Sequence, residues 1–275
     1  MIASLLLSLP CATACAAAPA HPLDGGAAAH AGARQDEGEG EGAEKPDKRP
    51  EVKELLGELK DHIGKRGDED KEAVAVIDKL LQEFPESGPK DRKSICDGLS
   101  KCFDVQRIEV EEGVPNNSLF IAAGTALGRM GPESADALNK WIGHKKHRKD
   151  LALQRVLILS LGKTKDDSGI KTLTDLLQSK DDMLVGAAAE ALADYNEKEL
   201  DVRKSIFENL LKVLMSSKGA VDVNVNDTIA RERYDVIAAP IITTLQALSG
   251  NDERDPEEWQ RWWNKNKKKD WDEEE

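Results

Sequence analysis

The sequence predicts an all-α chain, a right-handed α-solenoid of antiparallel helical pairs. A recurring pattern carries the prediction: Ala122-Ala123-Gly124-Thr125-Ala126-Leu127-Gly128, then Leu157-Ile158-Leu159-Ser160-Leu161-Gly162, then Ala187-Ala188-Ala189-Glu190-Ala191-Leu192. Each is an apolar helix rich in small residues, and each is followed by a polar turn and an amphipathic helix. Leu127 and Leu161 lie 34 residues apart, Leu161 and Leu192 31. A unit of that size cannot bury its apolar face alone, so neighbours must supply the missing core. Composition agrees. Only 4% of the 275 residues are aromatic while 33% are charged, which suits many exposed helical faces over a thin Ala/Leu core and not a β-rich domain.

The N-terminal stretch, residues 1–20, reads as an export signal. Ile2 to Leu9 form a short apolar run, and Ala16-Ala17-Ala18 and Ala18-Pro19-Ala20 offer small-x-small cleavage sites. The run is far short of the roughly 20 residues that span a bilayer. No Lys or Arg precedes it, so a plain low-complexity reading stays open. Cys15 also allows a lipid-anchor reading, with Ala at the position where Leu is usual. Residues 21–50, Ala/Gly-rich and then Glu/Gly-rich, have almost nothing to bury and read as a disordered tether.

The solenoid is expected over residues 51–266. Leu55, Leu56, Leu59 and Ile63 keep helical spacing, and Val74, Ile77, Leu80, Leu81 and Phe84 form a second helix that Pro85 stops. Pro89 opens a third, with Ile95, Leu99 and Phe103 on its apolar face. Cys96 and Cys102 lie on the same face. Six positions along a helix is about 9 Å of rise, beyond ordinary disulfide reach, so both read as small buried hydrophobes.

From Asn117 to Met215 the pattern alternates. Helices over 118–130, 151–162 and 183–195 are apolar on nearly all sides, as for helices enclosed in a stack; those over 133–143, 168–178 and 199–216 are one-sided. Residues 218–228, with Gly219, Asp222, Asn224 and Asn226, break the period and read as a loop inserted on one edge. Pro240 should kink or restart the helix that follows. Asp255-Pro256-Glu257-Glu258 then has the form of a helix start, with Asp255 as N-cap and Glu258 reaching back to close a capping box. Trp259, Trp262 and Trp263 share one face of that helix. They read as a structural cap on the last repeat, with a ligand-stacking platform as the alternative. Residues 267–275 read as a charged, solvated tail.

The segment from Asn117 to Met215 resembles HEAT-like repeats, the short variety of phycobilisome-lyase type, with Leu127-Gly128-Arg129-Met130-Gly131-Pro132-Glu133 the nearest copy of the motif. Leu245-x-x-Leu248-Ser249-Gly250, followed by Asp255-Pro256-x-x-Trp259-x-x-Trp262-Trp263, resembles the ending of secreted HEAT-like proteins of planctomycete-like bacteria. The resemblance implies a HEAT/armadillo-like superhelix and binding of other proteins. It also leaves open a lyase-type enzyme and a nucleic-acid-binding protein of DNA glycosylase type.

Chemistry-bearing constellations are sparse. Gly162-Lys163-Thr164 imitates the end of a phosphate-binding loop, but Leu157 occupies the position of its first glycine, so the triplet reads as a helix C-terminus with a Gly stop. His144 and His147 have the spacing of two metal ligands, yet cations surround them and no further ligand is in view. No catalytic residue, cofactor or metal site is therefore expected. The net charge of −13 opposes general phosphate-backbone binding. What stands out on an acidic chain is its clustered cations. Lys145, Lys146, Arg148 and Lys149 read either as a solvated inter-repeat turn or, with Lys163 and Lys165 on one ridge of turns and the 218–228 insertion, as a candidate interaction surface for an acidic peptide, a phosphate or a polyanionic sugar. The expectation is an exported, monomeric, non-catalytic scaffold in the periplasm or cell envelope, with another protein as partner, no nucleic acid and no transmembrane segment.

Overall fold

The structure, a computed structural model, describes residues 45–107 and 109–272; the export signal, Cys15, residues 21–44 of the tether and the last three residues of the tail lie outside the described residues. Among the described residues the fold is all-helical, with eleven α-helices and no strand. They are α1 (Pro50–Gly64), α2 (Asp70–Glu83), α3 (Pro89–Ser100), α4 (Ser118–Arg129), α5 (Ala135–Trp141), α6 (Leu151–Lys163), α7 (Asp167–Leu176), α8 (Asp182–Leu192), α9 (Leu200–Val223), α10 (Thr228–Ser249) and α11 (Pro256–Asn266). None is long and apolar enough to cross a membrane.

Contacts sort the helices into two rows. In the even row α2, α4, α6, α8 and α10 touch one another in chain order; in the odd row α1, α3, α5, α7, α9 and α11 do the same. The even row is built from the recurring apolar helices, and small residues set its spacing. A Cβ on Gly128 would sit 2.7 Å from Ser160 Cβ on the next helix of the row, and one on Gly162 would sit 2.9 Å from both Cα and Cβ of Ala191. Gly162 is therefore not a helix stop. It lies inside α6, and the stop is Lys165, which takes the left-handed backbone at φ +52°. Helix starts follow the sequence more closely. Asp150, Asp166, Asp181, Asp227 and Asp255 each accept a backbone N–H of the helix they precede, meeting donors that have no partner within the helix.

Several expectations need correction. The tether ends before residue 50: Asp47 accepts the N–H groups of Lys90 and Asp91, while Asp91 accepts those of Lys48 and Arg49. The free N–H groups at the start of α3 capture Asp47, the one carboxylate of a short, otherwise basic segment with no apolar run to announce it. The 218–228 loop shrinks to residues 224–227, because α9 runs on to Val223. Val213, Leu214 and Ser217 stay buried there, and the Lys218–Asp222 ion pair spans one turn of the extension. Pro240 does not interrupt α10; its ring and the Val236 carbonyl lie beside Gly186 of α8, so packing carries the helix past the missing donor. The helix expected over 133–143 is shorter, with Pro132–Ser134 forming a 3-10 turn before α5.

The C-terminal cap also extends further than its three tryptophans. Phe207 of α9 lies 5.6, 5.4 and 5.1 Å, ring centre to ring centre, from Trp259, Trp262 and Trp263. Trp271, expected in the solvated tail, closes the same cluster at 5.4 Å from Phe207, and Asp272 pairs with the buried Arg203. An aromatic side chain and an acid facing a buried cation are enough to bring residues 271–272 back onto α9. Glu258 does not close a capping box; its carboxylate accepts from Arg261 at 2.6 Å. Cys96 and Cys102 are free and buried, and burial above all pushes both thiols up to about 12.

Replacing Gly162 by Val should lower stability in urea denaturation by about 1–3 kcal/mol or more, since backbone of α8 cannot yield to the new atoms. Gly57→Ala, where a Cβ meets nothing within 4 Å, should instead raise it by about 0.5–1 kcal/mol. Trp259→Ala, emptying a fully buried site, should cost about 3–5 kcal/mol in the same measurement.

Candidate functional site

The basic cluster lies on a turn whose interior is built like a core. α5 ends at Trp141, and Gly143 takes a left-handed conformation at φ +69° that reverses the chain. Gln154 of α6 is buried behind the turn. Its side-chain oxygen accepts the Gly143 N–H at 2.6 Å, and its amide group faces the carbonyls of Trp141 and His147 at 3.4 Å. His147 is buried as well, with Nε2 2.7 Å from the Phe103 carbonyl and its ring 4.8 Å from Phe120 and 5.6 Å from Trp141. A carbonyl accepts only, so Nε2 carries the proton. Trp141 in turn donates to Ser100 Oγ at 2.9 Å. His147 thus works as a structural tie between the turn and the 3-10 segment that follows α3. Among the described residues no group of three or more His, Cys, Asp or Glu side chains is placed to hold a metal ion.

On this frame the cations point outward. Lys145, Lys146, Arg148 and Lys149 are all exposed. Among the described residues only Lys146 of these four has an ion-pair partner: its Nζ donates to the Asp104 carbonyl at 2.8 Å and lies 3.5 Å from the Asp104 carboxylate. Lys140 rests its ammonium 4.7 Å from the centre of the Trp141 ring, and Lys146 lies 5.8 Å from it, so the indole holds two cations close to one edge of the turn. His144 stands between them, accepting the Lys146 N–H at Nδ1. Partial desolvation, then the charges of Lys146, His147, Lys145 and Lys140, hold its pKa below the ordinary value.

Lys163 and Lys165 do not share this surface. The two groups flank opposite ends of α6, about 20 Å apart by the rise of a helix, because one turn precedes the helix and the other follows it. The second group is also neutralised. Lys165 pairs with Glu197, Lys198 with Asp167, and Lys163 and Lys165 both act on the carboxyl of Asp194. The candidate surface therefore narrows to the turn before α6. Trp259, Trp262 and Trp263 pack around Phe207 of α9.

Sequence spacing missed the groups beside the turn. Asp70, the first residue of α2, binds Arg107 through two nitrogens at 3.0 Å; the pair is buried, with the guanidinium 5.6 Å from the centre of the Phe120 ring. Arg107 also donates to the Val105 carbonyl at 3.2 Å. This fixes the segment that carries Asp104 and Gln106 next to Lys146. Together with Arg66 and Val105 these residues line an open depression of about 420 Å³. Nothing local in the sequence links Arg66 to Lys146; the link arises only from the packing of the first three helices against the turn.

No family model, no curated protein and no solved structure matches the chain significantly.

In a proton-detected titration, His144 should change state at lower pH than a free histidine. Lys146→Gln should move its midpoint back upward, because removing a neighbouring positive charge favours the protonated ring.

Proposed function

We propose that this chain is a non-catalytic interaction scaffold that presents the basic turn at 145–149 to an acidic segment of another protein. One observation carries the reading. Lys145, Arg148 and Lys149 project from a turn whose backbone and buried side chains are held in place, and they have no ion-pair partner among the described residues. On a chain of net charge −13 such a cluster keeps a positive potential only where it serves contact with an anion.

The scaffold is a right-handed α-solenoid of HEAT-like type. Its support is the ordered contact of even helices with even and odd with odd, together with the spacing of the Ala/Leu/Gly helices. Such stacks offer long edges of turns, and here one edge carries uncompensated charge while the other is neutralised. The protein acts as a monomer, exported to the periplasm or cell envelope, a placement supported by the apolar run of residues 2–9 and the alanine-rich cleavage sites after it. No nucleic acid takes part in this reading. The lyase and glycosylase alternatives rest on the repeat type alone.

Crosslinking in intact cells followed by fractionation tests both parts. The protein should be found in the envelope fraction joined to a partner that Lys145→Glu, Arg148→Glu and Lys149→Glu together remove, while Lys163→Glu with Lys165→Glu leaves it. An unchanged set of crosslinks in the triple variant would overturn the docking site, and recovery in the cytoplasm with Met1 intact would overturn export.

A further inference from the structure

The positive surface of the turn continues into the depression beside it. Arg66 follows α1 in a left-handed conformation at φ +56°, its backbone N–H donating to the Ile63 carbonyl at 3.1 Å; the residue is exposed, and its guanidinium has no hydrogen-bond or ion-pair partner among the described residues. Lys146 faces the same space from the turn, and Asp104, Val105 and Gln106 form the rest of its wall. The space thus holds two cations and one carboxylate. That carboxylate is half exposed and stands 3.5 Å from Lys146, at the long end of ion-pair contact. Lys146 itself is anchored by the Asp104 carbonyl, so its ammonium stays in place whether or not the carboxylate does.

We infer that this depression receives an acidic side chain, a glutamate or aspartate, from the partner segment that the basic turn attracts; the inference rests on the scaffold reading above. Arg66 supplies a planar fork that matches a carboxylate, Lys146 supplies a fixed point charge opposite it, and Gln106 brings an amide donor. Asp104 shows which anion Lys146 accepts. It also selects among anions, since its negative charge repels a phosphate dianion more strongly than a carboxylate. The incoming carboxylate displaces that of Asp104 from Lys146 and brings the depression to neutrality. Lys145, Arg148 and Lys149 then act on neighbouring acidic residues of the same segment.

Fluorescence anisotropy of a labelled ten-residue glutamate peptide, titrated with the full chain at low salt, tests the assignment. Arg66→Gln should weaken binding about tenfold, as expected for losing one charge-assisted, hydrogen-bonded contact, and Arg66→Lys should restore part of it. Asp104→Asn should strengthen binding about threefold or more by removing the competing carboxylate. Thermal melts of these variants, with both replaced side chains at an exposed surface, should match the parent. If Arg66→Gln and Asp104→Asn leave the affinity unchanged while the Lys145, Arg148 and Lys149 reversal abolishes it, the depression is overturned and the turn stands. If no variant changes binding, both fall. A phosphoserine peptide of equal length that binds more tightly than the glutamate peptide would overturn the choice of a carboxylate.

Discussion

The approach of α6 to its two neighbours in the even row governs the rest of the molecule. Where Gly128 faces Ser160 and Gly162 faces Ala191, backbone lies almost on backbone, and no side chain larger than a hydrogen fits on the glycine side. Helices this close leave little room for bulky residues along the contact itself, so the facing surfaces of α4, α6 and α8 are built from Gly, Ala, Ser and Leu, and the large rings sit at the margins of that contact. Contacts are local as well. Each helix meets partners a few tens of residues away, and the buried apolar side chains join into one core that runs from α1 to α11.

Those margins hold the features that distinguish this chain from a plain stack. Trp141, Phe103, Phe120 and His147 form one aromatic group beneath the basic turn, and Phe207 with four tryptophans forms another at the C-terminal end. The first gives the turn a rigid underside. Of its cations Lys146 meets Asp104, while Lys145, Arg148 and Lys149 project from the turn with no ion-pair partner among the described residues. At the far end of α6 the lysines are met by Glu197, Asp194 and Asp167, so the two turns differ electrically over the length of one helix.

Element type was largely legible in the sequence because the even-row helices are so strongly periodic and their aspartate caps so regular. The failures share a cause. Residues 45–49 and 271–272 fold back through contacts with distant helices, α3 in one case and α9 in the other, and composition carries no trace of them. Residues 218–223 look like a loop by propensity, yet α10 gives that stretch a surface to run along. At the candidate site, Lys145 to Lys149 could be read as a cluster. Their separation from Lys163 and Lys165 could not, because neighbours in sequence sit at opposite ends of a helix. Arg66, Asp104 and the Asp70–Arg107 pair were invisible for the opposite reason: residues far apart in sequence meet in space.

The segregation of the tryptophans has an optical consequence. Four of the five lie in one cluster around Phe207, while Trp141 alone reports from the basic turn, with Lys140 and His144 against its ring. The molecule thus carries two built-in chromophores, one at its closing end and one under its charged turn. Fraying of the last helices and disturbance of the turn should register as separate spectral events, without a label being added to either place.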